Sequence, residues 1–155
     1  MGEISVKKQA KLNKIAKELI KNNIYLTLAT ADGTPWAAPL FYCVDSEYNF
    51  YFISQMDSVH TKHLLKNPKV AFAIFDSHEP EGKGNGVQAS GKAYLLEKRG
   101  EMEKALKWYS TTYVECKPES FTGKNPYRLF KLIPEKFYVL DPDAPVDKRV
   151  EVYLV

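Results

Sequence analysis

At 155 residues the chain has the length of one domain, enough to bury a core without staples. Hydrophobic residues make up 45% and aromatics 13%, with ten Tyr and eight Phe, which excludes a disordered chain and favours strands. The net charge of +3 includes only three arginines, Arg99, Arg128 and Arg149, and the lysines are scattered, which argues against a nucleic-acid partner.

Cys43 and Cys116 stand in different predicted elements without a C-x-x-C, so neither a zinc cage nor a disulfide framework is implied, and a reducing cytoplasm is the expected location. The opening MGEISVKKQAKLNKIAKELI lacks the unbroken apolar core of a signal peptide. No later stretch approaches the roughly 18 apolar residues of a membrane span, so no membrane partner is expected. Gly2 follows Met1, but Val6 stands where myristoylation wants Ser or Thr.

Along residues 6–21, Val6, Ala10, Leu12, Ile15, Ala16, Leu19 and Ile20 recur at helical spacing with lysines opposite, which predicts an amphipathic surface helix. IYLTLATA (24–31), the turn DGTP (32–35) and WAAPLFYCV (36–44) read as a hairpin. A second turn, DSEYN (45–49), leads to the strand FYFIS (50–54). The stretch SVHTKHLLKNPKVAF (58–72) predicts a short helix opened by Ser58 and stopped at Asn67-Pro68, followed by the strand VAFAIFD (70–76). A polar, glycine-rich loop (77–86) and the strand VQASGKAYLL (87–96) come next; because the glycines open onto a strand, a phosphate-binding P-loop is disfavoured. Residues 99–116 return to helical spacing, and 127–134, 136–141 and 149–155 read as the last strands, the first two separated at Pro134.

Strands joined by short turns, with three helices, predict a mainly β (α+β) fold in one domain: an antiparallel sheet closed or nearly closed into a barrel. In LFYCV and FYFIS both faces are apolar or aromatic, so something must cover the outer face: a second subunit, or the helices 6–21 and 99–116.

The start of the short central helix poses the functional question. A helix N-terminus already presents unpaired N–H groups and partial positive charge, so His60, Lys62 and His63 on its first turns point to an anion held between them. Other uses of these residues stay open. His60 and His63 lie three apart and with His78 make a weak metal set, Ser58 serves as an N-cap in any case, and Lys62 and Lys66 also suit a solvated helix face. No G-x-S-x-G is present, and Cys43 in an apolar strand lacks the setting of an activated thiol.

GTPWAAPLFY, FYFIS, S-x-H-x-K-H-L-x-x-N-P-K-V-A and GVQASGKAYLL, in that order, resemble the pyridoxamine 5′-phosphate oxidase-like flavoproteins, with FKLIPEKFYVLD matching their closing strands more loosely. That resemblance implies a six- to seven-stranded split β-barrel with flanking helices, homodimeric, with FMN at the subunit interface and a small-molecule redox substrate. It implies that Ser54, Ser58, Val59, His60 and Lys62 surround the 5′-phosphate. The backbones of Pro39, Leu40 and Phe41 and of Phe52, Ile53 and Ser54 carry the flavin ring, which Gln88 approaches. His60 and Val59 stand where many relatives have lysine or arginine, so His60 is expected to be partly protonated near neutrality beside the phosphate. Ala38 and Cys43 stand where the true oxidase has cations, and the chain ends at Val155 without its extra C-terminal arginines, so vitamin B6 is not the expected substrate. A non-catalytic flavin sensor, or a relative binding deazaflavin F420 or haem, is the alternative.

Overall fold

The computed structural model describes residues 4–109 and 116–155. Helix α1 (Val6–Asn22) is capped by Ser5, whose hydroxyl accepts a hydrogen bond from Lys8 N at 3.3 Å, and it buries Leu12, Ala16 and Ile20, three of the seven residues in the predicted stripe, while Val6 and Ala10 at its start stay exposed. β1 (Tyr25–Asp32) and β2 (Thr34–Phe41) form the expected hairpin around Gly33, whose φ of 80° is open to glycine at no steric cost. The predicted strand 36–44 is divided at Tyr42, whose N–H donates to Ile24 O at 3.1 Å and whose buried hydroxyl donates to Ile20 O at 2.6 Å; beyond it the short β3 (Cys43–Val44) changes partner and pairs with the strand 50–55. β4 (Phe50–Gln55), α2 (Val59–Lys66), β5 (Lys69–Phe75) and β6 (Gly86–Leu95) follow as expected.

Helix α3 (Arg99–Leu106) is shorter than the predicted 99–116, of which residues 110–115 lie outside the described residues. β7 (Tyr127–Leu140) is one strand of 14 residues where two were expected, and β8 (Arg149–Val152) closes the chain. Pro134 is tolerated because of its place. β4 pairs with β7 only up to Leu132 and β8 only from Phe137, so no neighbour on that edge needs the missing N–H, and the β6 register shifts opposite it between Ser90 and Gly91.

The strands make one antiparallel sheet in the order β2-β1-β5-β6-β7-β4-β3, with β8 on the second half of β7. The sheet curls until β2 touches β4, yet no ladder joins them among the described residues, and the barrel is split there. Its interior, closed by α1, holds Leu28, Phe50, Phe52, Phe72, Phe130 and Phe137. A second cluster lies outside it, where Met102 and Ala105 of α3, with Leu96, Tyr109 and Phe121, cover Tyr51 and Leu129. The outer face of β4 is thus covered by the chain's own helix, which settles for that strand the choice left open in the sequence. No helix among the described residues is long and apolar enough to cross a membrane.

Candidate functional site

β4 ends at the split, and the chain turns there into α2. Ser58 adopts an extended conformation as N-cap, and its Oγ accepts from Thr61 N at 3.4 Å. Asn67 ends the helix by donating its N–H to His63 O at 2.8 Å, and its side chain donates to Ala31 O at 3.2 Å. Lys66 pairs with Asp32 at 2.6 Å and His63 Nδ1 with Thr30 Oγ1 at 3.0 Å, so β1 holds the C-terminal half of α2 in place.

Around the helix start the polar side chains interlock. His60 Nε2 lies 2.5 Å from Ser54 Oγ and 3.2 Å from Ser58 Oγ, and the two hydroxyls are 3.2 Å apart. Ser58 Oγ also reaches Thr61 Oγ1 at 2.9 Å, and Ser54, His60 and Thr61 are buried. Ser54, Ser58 and His60, expected together around an anion, are therefore brought together. Thr61 and Thr30, which complete the arrangement, were not singled out in the sequence. The available signal was a threonine following Leu26 and Leu28 on the buried side of β1, where an inward polar group needs a partner.

Burial, with His63 adding to it, pushes the His60 imidazole below its ordinary pKa. Without an anion the imidazole is thus favoured in its neutral form; the protonated ring expected beside a phosphate depends on that anion to compensate the cost of burial. Lys62 is exposed beside it, and so is Val59, which places an apolar side chain at the helix start. Asp57, also exposed, is the acidic residue nearest in sequence.

No buried side-chain polar atom among the described residues lacks a hydrogen-bond partner, so nothing at the site is orphaned. Three hydroxyls, one imidazole and an exposed ammonium at a helix start nevertheless form a donor set that suits a phosphate ester, which exchanges bonds between side chains for bonds to itself. The strand segments expected beside a flavin ring also have the needed form. Pro39, Leu40 and Phe41 pair only with β1, and Phe52, Ile53 and Ser54 only with β7, so each segment turns one backbone edge toward the split. The Phe52 side chain is fully buried and stacked on Phe130 with centroids 5.0 Å apart, which leaves only its backbone available.

Gln88 is not brought to this cluster within one chain. It is exposed on the outer sheet face, opposite Ala73 and Tyr138, whereas Ser54 pairs with Arg128, ten residues earlier along β7.

The family model described as pyridoxamine 5′-phosphate oxidase matches residues 12–141. A relative from Photorhabdus laumondii, UPF0306 protein plu4501, is 31% identical over 103 residues, covering 65% of this chain and 68% of its own. Among solved structures, a protein related to general stress protein 26 (pyridoxinephosphate oxidase family) from Clostridium acetobutylicum has a TM-score of 0.63 at 17% identity, covering 96% of this chain and 95% of that one. HutZ, the haem storage protein from Vibrio cholerae, has a TM-score of 0.63 at 21% identity, covering 77% and 87%. These last two likenesses are of fold alone. With the family model matching most of its length, the split barrel and the order of its motifs, the chain belongs to the pyridoxamine 5′-phosphate oxidase family.

Proposed function

We propose that the chain binds FMN and acts as an oxidoreductase on a small molecule. The observation that carries this reading is the Ser54–Ser58–His60 cluster at the start of α2, beside two strand edges that face the split. Ser54, Ser58, His60 and Lys62 would hold the 5′-phosphate, and the backbones of Pro39–Phe41 and Phe52–Ser54 would carry the ring. When bound, FMN supplies hydride and electron transfer. The protein's part is to fix the phosphate, align the ring along the strand edges and keep water from one face. Ala38, buried, and Cys43, half-buried, offer no cation for a pyridoxal phosphate, which supports a substrate other than vitamin B6.

A homodimer completes the proposal. The outer face of β2-β1-β5 presents Ala29, Ala37, Ala71 and Pro39 with Tyr25 and Phe75, 57% and 53% exposed, and it is this face, not the covered face of β4, that suits a second copy. Gln88 lies on the same face, so pairing the chains makes it available to the partner's flavin and reconciles its distance from Ser54 along β7.

The test is the spectrum of the purified protein. Flavin absorbance bands, or saturable FMN uptake lost in Ser58→Ala and weakened in His60→Gln, support the reading; bleaching by NAD(P)H and reoxidation by an acceptor distinguish an enzyme from a flavin sensor. A Soret band would transfer the chain to the haem-binding reading that the likeness to HutZ raises. A deazaflavin spectrum would transfer it to F420, and a colourless protein that takes up no FMN would end the proposal. Light scattering measures the dimer.

A further inference from the structure

A second cleft, of about 590 Å³, lies between the C-terminal half of α1 and the β2-β3 segment. It shares only Phe41 with the residues proposed to hold FMN. Its walls are Ile20, Ile24, Phe41, Val44, Tyr48 and Trp108, and its size falls in the range of sites that enclose a small organic ligand. Trp108 and Ile24 are 46% and 59% exposed, so the cleft presents apolar surface that a ligand would cover.

Along the rim run Lys14, Lys17 and Lys21, spaced three and four residues apart on α1 and so on one face of it. Two carboxylates share the cleft, and both are engaged. Glu18 lies 3.7 Å from Lys14, and Asp45 accepts hydrogen bonds from Glu47 N, Asn49 N, Asn49 Nδ2 and Tyr51 Oη. Among the described residues neither Lys17 nor Lys21 has a carboxylate partner; the Lys17 ammonium instead sits 5.7 Å from the Tyr48 ring centroid.

Tyr48 makes this arrangement more than a gap between elements. With φ at 61° it is the non-glycine residue in the left-handed region among the described residues, at a turn where Gly or Asn would fit without strain. Such strain persists where the surroundings hold it, and it concentrates at ligand sites. Here it directs an aromatic ring into the cleft beneath a lysine.

We propose that this cleft binds a planar, apolar small molecule bearing a single carboxylate, the aromatic body against Tyr48, Phe41 and Trp108 and the anion between Lys17 and Lys21. The proposal uses none of the phosphate-site residues and needs no redox step; Phe41, whose backbone is proposed beside the flavin ring, is the residue the two readings share, and titration with and without FMN separates them.

In a Trp36→Phe background Trp108 is the one tryptophan left, and its fluorescence reports the cleft. Titration with 2-naphthoate, with and without added FMN, is expected to change that emission saturably. Neutral 2-naphthylmethanol should bind about fivefold more weakly, the order expected for two partly solvated ion pairs. Lys17→Gln/Lys21→Gln should erase that preference while leaving naphthylmethanol binding unchanged. Tyr48→Gly, which relieves the strained φ and so keeps the fold, should weaken both probes. Equal affinities for the two probes, no saturable change with either, or a charge preference that survives the double lysine variant would overturn the proposal. So would light scattering in which Ile24→Asp splits a dimer, since the cleft would then belong to a second copy.

Discussion

Replacing Gly91 by alanine probes the point on which the barrel turns. Gly91 sits in β6 between Val70 of β5 and Pro134 of β7, next to the register shift. A Cβ built on it would lie 2.3 Å from Ile133 O, 2.8 Å from Pro134 Cα and 3.0 Å from Ile133 C. Carbon and oxygen normally come no closer than about 3.3 Å, so one strand must move by about 1 Å. The atoms in the way are backbone, not a side chain that can swing aside. They belong to a strand pinned by β4 at Leu132 and by β8 at Phe137. Overpacking usually costs about 1–3 kcal/mol, and a clash with pinned backbone belongs at the top of that range, about 3 kcal/mol. With a urea slope of about 2 kcal/mol/M, the midpoint of unfolding should fall by about 1.5 M. Gly100→Ala is the control: nothing lies within 4 Å of its added Cβ, and in α3 it should be neutral or stabilising by up to about 1 kcal/mol. A Gly91→Ala midpoint within experimental error of wild type, at unchanged slope, would refute the claim that glycine is required by this close approach.

Ser58→Ala removes the α2 cap and should lower stability by about 1 kcal/mol in urea titration, with a larger proportional loss in FMN affinity. Burial depresses the His60 pKa below the unfolded value, so protonation favours the unfolded chain; stability should fall as pH drops below about 6.5, and His60→Gln should flatten that part of the profile. A bound phosphate reverses the sign for the same ring by stabilising the imidazolium, so FMN binding should be accompanied by proton uptake and weaken from pH about 6 to about 9; matching pH profiles for wild type and His60→Lys would reject this. Phe130→Ala strips the ring stacked on Phe52 from a fully buried position and should cost about 3–5 kcal/mol by chemical denaturation.

The parts legible in the sequence are those that local periodicity encodes. Alternation and turn chemistry located the hairpin at Gly33 and the helix between Ser58 and Asn67, because each depends on neighbours a few residues away. Pro134 misled for the same reason: a local rule breaks a strand at proline, but whether an N–H is missed depends on which strands lie alongside, and that is set by β4 and β8 from elsewhere in the chain. His60 shows the same limit in electrostatics. Its charge and spacing suggested a cation, while its burial, which inverts the preference, depends on how the helix start packs at the end of β4.

The cover over β4 carries this one step further. Apolar residues on both faces of FYFIS correctly required two buried faces, yet no local pattern distinguishes a helix of the same chain from a second copy. With α3 on that face, uncovered alanines and aromatics remain on the outer face of β2-β1-β5, the face that Gln88 of β6 shares and on which the proposed second copy would pack. In the proposed dimer Gln88 and Ser54, whose partners Tyr138 and Arg128 stand ten residues apart along β7, would not need to meet within one chain. Substituting Ala29 by glutamate, at the middle of that face and far from the Ser58 cap, should therefore reduce dimer mass and FMN affinity together; a variant that stays dimeric and binds FMN normally would remove this face from the interface.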